Sequence, residues 1–194
     1  VRSRRQRQMC IRDRYEPGST FKLITAAAAI EENTAQPDSQ YVCNGAMVMG
    51  NSRLTCTSRT RGKKTLAKAI EESCNMTMIQ VGQELGAEKF LKYIKAFGFG
   101  KKTGIELYGE SIGIVPRSYK DISKVNLATM SYGHSIAVSP IQLINAVSAI
   151  SNGGFLNKPT LIKEIVDANG NVIERKRPEP VSYTHLTLPT TPYV

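Results

Sequence analysis

The 194-residue chain lacks any long hydrophobic run. Its longest apolar and alanine stretch, LITAAAAI, is far short of the ~20 residues that a bilayer span needs. The basic start is not followed by an apolar stretch, so no signal peptide is expected there. Internal repeats are absent, which sets aside repeat architectures. Histidine is scarce, with two residues in all, and His185 stands in an irregular tail, so no metal cluster is expected. Acid is short as well: 16 acidic against 26 basic residues leave a net charge of +10. That excess is local, because Arg2, Arg4, Arg5, Arg7, Arg12 and Arg14 face only Asp13 in the first fourteen residues. A basic nucleic-acid-binding module is therefore a reading of the head, VRSRRQRQMCIRDR, rather than of the body.

The body has the length to bury a proper core as one domain, or as one large piece of one. Its first pattern is YEPGSTFKLITAAAAIEE, in which Pro17 and Gly18 break regular structure and strong helix formers follow Ser19. A helix from Thr20 to about Glu32 is predicted, with Ser19 in its first turn. Residues three apart share a helical face, so Ser19 and Lys22 can meet. The field of a helix N-terminus disfavours an ammonium and favours an oxyanion. A lysine with a lowered pKa can take the proton of a serine hydroxyl. Taken alone, the pair reads as a helix cap and a surface lysine.

A second helical pattern, TLAKAIEE with Thr65 as its cap, is interrupted at Ser73-Cys74-Asn75 and resumes as MTMIQVGQELG. On a continuous helix Ser73 and Asn75 point apart, so both reach one site only where the chain leaves helical geometry. AEKFLKYIKAFG is a further helix with Gly98 past its end. Ser139 and Pro140 open IQLINAVSAIS, and TLIKEIV, DANGN and VIER read as a hairpin turning at Asn169 and Gly170. This order predicts an α+β fold with helices covering a largely antiparallel sheet.

EPGSTFK, SCN, GAEKFLKYIKAFGFGKKTGIELYGE, LATMSYGHSIAVSPIQL and AISNGG together resemble the transpeptidase domain of class B penicillin-binding proteins. The likeness runs from Tyr15 to about Arg177 and is nearer to the division and sporulation members than to the elongation members. It implies the α+β fold shared by penicillin-binding proteins and serine beta-lactamases, and D,D-transpeptidation between peptidoglycan stem peptides. In that reading Ser19 is the nucleophile, Lys22 its base, Ser73 a proton relay and Asn75 a substrate-binding residue that also contacts the lysine. Beta-lactams would acylate the same serine, no cofactor or metal is implied, and no nucleic acid takes part. The resemblance also implies the extracytoplasmic face of a bacterial membrane, an N-terminal anchor outside this chain, and a division or spore-wall glycosyltransferase as partner.

Two departures qualify the match. Lys102-Thr103-Gly104 sits in a glycine-rich loop before IELYGE and is read as a decoy. The functional Lys-Thr-Gly strand is expected beyond this chain, which would leave the fold incomplete at its C-terminal side. His134-Ser135 stands where Gln-Gly is expected, and His134 is read as a loop residue. Residues 1–14 and 181–194 break the pattern and are expected to be non-native or disordered, leaving 15–180 as a partial transpeptidase domain. Cys43 and Cys56 flank AMVMGNSRLT, a candidate hairpin, where a disulfide or two free thiols fit equally. A zinc site lacks two further ligands at suitable spacing. The rivals in function are a serine beta-lactamase or beta-lactam sensor, and the basic nucleic-acid-binding module.

Overall fold

The computed structural model describes residues 9–183. A 3-10 turn, Gly18–Phe21, runs directly into helix α1, Lys22–Glu31. Strands β1, Gln40–Cys43, and β4, Gly62–Thr65, pair antiparallel and enclose the hairpin of β2, Ala46–Met49, and β3, Ser52–Thr55. Helices α2, Leu66–Glu71, α3, Asn75–Leu85, and α4, Ala87–Ala96, follow. After an irregular stretch come α5, Lys124–Met130, and α6, Pro140–Ser151. The chain continues as β5, Phe155–Asn157, β6, Glu164–Val166, β7, Val172–Arg175, and β8, Pro180–Tyr183. Among the described residues the strands form four separate two-stranded antiparallel ladders rather than one sheet. No helix of the described residues is long and apolar enough to cross a membrane.

The helix ends follow local chemistry. The Thr65 side chain accepts the Lys68 N–H at the start of α2, and Ser139 with Gln142 closes a capping box on α6. Gly86 and Gly98 stop α3 and α4 with φ of 79° and 85°, the left-handed region that glycine enters without a Cβ penalty. At the β6–β7 hairpin only Gly170 has positive φ, whereas Asn169 was expected to share it. Asp167 takes over the work of the turn, its Oδ1 accepting the N–H groups of Asn169 and Asn171.

The main core collects Phe21 from the 3-10 turn, Ile24 from α1, Phe90 and Ile94 from α4, Met130 from α5, Leu143 from α6 and Leu156 from β5, with Phe97, Phe99 and Val138 from the segments between them. Phe21 is fully buried, its ring 5.4 Å from that of Phe99 and 6.4 Å from that of Phe90. Its burial alone stabilises by about 2–3 kcal/mol and fixes the turn that carries Ser19. Thr25 Oγ1 donates to the Ser131 carbonyl at 2.9 Å and ties α1 to the end of α5. The segment before Ser19 is held by the loop that follows α5. Tyr15 and Val138 exchange backbone hydrogen bonds, and Gly18 N–H donates to the Gly133 carbonyl at 2.9 Å.

Parts of both end segments, 1–14 and 181–194, which were expected to be non-native or disordered, meet the body. Residues 9–12 form a helical turn whose Ile11 is buried, and the Ile11 carbonyl accepts the Ser111 N–H at 2.8 Å. Pro180–Tyr183 pairs with β5, with a register shift at Leu156 and Asn157. One buried isoleucine and one edge pairing need no amphipathic period, which is why no pattern announced them. Residues 1–8 and 184–194 lie outside the described residues.

Gly133 and Gly153 separate the two uses of glycine. Both have positive φ, 85° and 81°, but a Cβ at Gly133 would lie less than 3.0 Å from backbone atoms of Gly18, while one at Gly153 meets nothing within 4 Å. Gly153→Ala is expected to cost about 1 kcal/mol, the left-handed penalty alone. Gly133→Ala is expected to cost about 2 kcal/mol more, because two backbones must part. Urea denaturation of both variants checks this, and equal costs would show that the Gly18–Gly133 approach is not rigid.

Candidate functional site

Ser19 sits in the 3-10 turn and Lys22 opens α1, so one short turn presents both side chains. Gly18 enters this turn with φ of 57°, and Thr20 Oγ1 donates back to the Pro17 carbonyl at 2.7 Å. With Phe21 anchored in the core, Lys22 is drawn inward and only 2% of it is exposed. A buried ammonium needs partners, and the break between α2 and α3 provides them.

That break is formed by Ser73, whose φ of 54° lies in the left-handed region and costs about 1 kcal/mol or more for a non-glycine residue. Backbone bonds hold it: Ser73 N–H to the Ile70 carbonyl at 3.0 Å and Cys74 N–H to the Ala69 carbonyl at 2.7 Å. The reversal turns both oxygens of Ser73 towards α1. Lys22 Nζ donates to the Ser73 carbonyl at 2.6 Å and to Ser73 Oγ at 2.9 Å, and Ser73 Oγ donates to Ser19 Oγ at 2.9 Å. Ser19 and Lys22 were expected to touch directly. In the structure the bonds between them run through Ser73.

Burial lowers the pKa of Lys22 to about 8, while the nearby thiols of Cys56 and Cys74 push it the other way. An amine titrating there accepts a proton readily near neutral pH. The hydrogen-bond chain is reversible in principle. With neutral Lys22 the amine can still donate to the Ser73 carbonyl while its lone pair accepts the Ser73 O–H, and Ser73 in turn accepts from Ser19.

Asn75 occupies the first position of α3 and its amide donates to the Thr55 carbonyl at 3.1 Å. Its backbone N–H is directed to Cys56 Sγ at 3.3 Å. The expected contact of Asn75 with Lys22 is not among the bonds of either residue. The side chain is instead engaged by the end of β3.

Lys102, Thr103 and Gly104 lie in an irregular loop, where Glu110 accepts the N–H groups of Thr103 at 2.6 Å and Gly104 at 3.2 Å. They line a cavity of about 320 Å³ with Gln142, Asn145 and Leu156, a lining that includes none of Ser19, Lys22 and Ser73. His134 is a loop residue whose Nδ1 lies 2.9 Å from Glu16 Oε2, and the Ser135 N–H reaches Glu16 Oε1 at 2.9 Å. Glu16 and Gly133, which fasten the serine turn from outside, were missed by sequence reasoning. Their partners are more than a hundred residues away along the chain, so no local pattern marks them.

Cys43, Cys56 and Cys74 are all buried free thiols, and their sulfurs lie within 4.8 Å of one another. The spacing of Cys43 and Cys56 pointed to a pair. The fold adds Cys74, which had been read only as the middle of the serine motif, so three thiols meet where spacing along the chain suggested two.

Comparison with known proteins agrees with this architecture. The family model described as penicillin binding protein transpeptidase domain matches residues 2–187. Stage V sporulation protein D of Bacillus subtilis is 44% identical over 155 residues, covering 79% of this chain and 24% of that protein. The peptidoglycan D,D-transpeptidase MrdA of Haemophilus influenzae is 32% identical over 188 residues, covering 90% and 28%. The chain thus spans about a quarter of the length of these relatives. Among solved structures, the D,D-transpeptidase domain of a peptidoglycan glycosyltransferase from Eggerthella lenta superposes with a TM-score of 0.82 at 28% identity, over 90% of this chain and 46% of that one. Penicillin-binding protein 3 of Mycobacterium tuberculosis, complexed with aztreonam, gives a TM-score of 0.78 at 28% identity, over 88% and 38%. The chain belongs to the penicillin-binding protein transpeptidase domain family.

Proposed function

We propose that Ser19, Lys22, Ser73 and Asn75 serve peptidoglycan D,D-transpeptidation through a serine acyl-enzyme, as part of a protein longer than this chain. The observation that carries the reading is the chain of bonds from Lys22 through Ser73 to Ser19. Neutral Lys22 takes the Ser73 proton as Ser73 takes that of Ser19. Ser19 Oγ then bonds to the carbonyl carbon between the two terminal D-alanines of a donor stem peptide. The C–N bond breaks and the terminal D-alanine leaves with the proton returned through Ser73. An amine from a neighbouring stem peptide attacks the ester, gives its proton to the same relay, and frees Ser19. The Ser19 N–H, at a helix start where donors lack intrahelical partners, is one donor to the oxyanion. Asn75 binds the substrate backbone.

A beta-lactam enters the same pathway, its ring amide standing in for the D-alanyl bond. The names of the relatives place such proteins in peptidoglycan synthesis, in sporulation for one of them, and the reading puts this site on the extracytoplasmic face of the membrane. A glycosyltransferase that supplies glycan strands is the partner this chemistry calls for.

The test is covalent labelling by fluorescent penicillin of a protein that carries this sequence within a whole transpeptidase domain. Peptide mapping is expected to place the label on Ser19, and Ser19→Ala to abolish it. Label on another residue would overturn the nucleophile. Ser73→Gly relieves the left-handed strain yet removes the hydroxyl, so the variant should stay folded while labelling slows by about 100-fold or more. An unchanged rate would remove Ser73 from the relay.

The pH profile tests the base. Since only the neutral amine accepts a proton and Lys22 titrates at about 8, the labelling rate should rise about tenfold per pH unit below that value and level off above it. A rate independent of pH between 6 and 9, in roughly the range where Lys22 should change its charge, would exclude Lys22 as the base.

A further inference from the structure

Three of the four cysteines come from distant parts of the chain to one point. Cys43 ends β1, Cys56 follows β3 and Cys74 caps α3. Their sulfurs lie within 4.8 Å of one another, and Cys56 Sγ is 3.6 Å from Cys74 Sγ. Metal–sulfur bonds of about 2.3 Å in a tetrahedral site put sulfurs about 3.8 Å apart, so small side-chain movements would bring the three to ligand spacing.

The surroundings direct hydrogen-bond donors at two of the three sulfurs. Cys56 Sγ accepts the backbone N–H groups of Ser58 at 3.4 Å and Asn75 at 3.3 Å, and Thr77 Oγ1 donates to Cys74 Sγ at 3.5 Å. Burial works against ionisation of Cys56, yet N–H groups including that of Met76, together with the Cys74 thiol, outweigh it and hold the thiol at about 7. Burial raises Cys43 to about 11, so its proton must be displaced by a ligand that binds sulfur strongly. The cations of Lys64 and Lys22 are close enough to act on this cluster.

We propose that Cys43, Cys56 and Cys74 form a three-thiolate site for one soft cation of the zinc class, with the fourth position left to water. Three S–H bonds break, three metal–sulfur bonds form, and three protons pass to solvent without any change of oxidation state. The bound centre carries a single negative charge within range of Lys22 and of Lys64, the latter already paired with Glu72 Oε2 at 2.6 Å. Because Cys74 follows Ser73 directly, the ion would clamp the α2–α3 break to β1 and β3.

The test uses the reduced chain and Cd²⁺ as a probe, since its thiolate complexes absorb in the ultraviolet. A charge-transfer band saturating at about one ion per chain is expected, displaced by Zn²⁺ and accompanied by a higher Tm. Cys43→Ser, Cys56→Ser and Cys74→Ser should each weaken binding by at least about tenfold, while Cys10→Ser leaves it unchanged. A second measurement needs no variant: Zn²⁺ should slow alkylation of Cys43, Cys56 and Cys74 in the unmodified chain at least about tenfold, read residue by residue by mass spectrometry. Absence of a saturating band, its loss in Cys10→Ser, or equal alkylation with and without Zn²⁺ would overturn the site.

Discussion

Burial of the Lys22 ammonium is the constraint on which the rest of the site depends. Moving its pKa from 10.5 to about 8 corresponds to roughly 3 kcal/mol against the charged form in the folded chain. Below about pH 8 both folded and unfolded chains carry the proton, and the folded state bears this cost in full. Between about 8 and 10.5 only the unfolded chain keeps the proton, so stability rises with pH and the cost fades. A fold that tolerates such a side chain must satisfy it closely. The carbonyl and hydroxyl of Ser73 do so at 2.6 and 2.9 Å.

Several features make sense only as support for that contact. Phe21 pulls the first turn into the core, and the next residue, Lys22, follows it inward. The Gly18–Gly133 approach and the Glu16 contacts with His134 and Ser135 hold the turn from the outside. The serine turn is thus gripped on one side by apolar packing and on the other by backbone and charge. Chemistry that needs atoms held to a few tenths of an ångström is better served by two opposed grips than by either alone.

Much of this organisation was legible in the chain. Glycine stops, the Thr65 cap and the Ser139 capping box are local signals, and local signals set local structure. The interruption at Ser73-Cys74-Asn75 was readable because Ser and Asn, favoured cap residues, stand between two helical patterns. What stayed hidden depends on tertiary approach. The detour of the Ser19–Lys22 bonds through Ser73 follows from the left-handed backbone of one residue, which serine does not advertise. The thiol cluster needs a strand, a hairpin and a helix cap to meet, so spacing along the chain shows at most the Cys43–Cys56 pair. Asn75 turned to Thr55 rather than to Lys22 because the end of β3 lies beside the start of α3.

The placement of backbone strain points the same way. Among the described residues, Asn33, Ser73 and Ser135 are the non-glycine residues with positive φ. Asn33 lies just past the end of α1, where asparagine commonly adopts this conformation and where relief would cost the site nothing. Ser73 and Ser135 have no such excuse, since glycine would hold either turn with less strain. Ser73 offers a hydroxyl to two partners, and Ser135 Oγ accepts from Thr129 while its N–H holds Glu16. Where a glycine suffices for geometry and a serine stands instead, the hydroxyl is the reason, and at Ser73 that hydroxyl is, among the described residues, the atom bonded to both Lys22 Nζ and Ser19 Oγ.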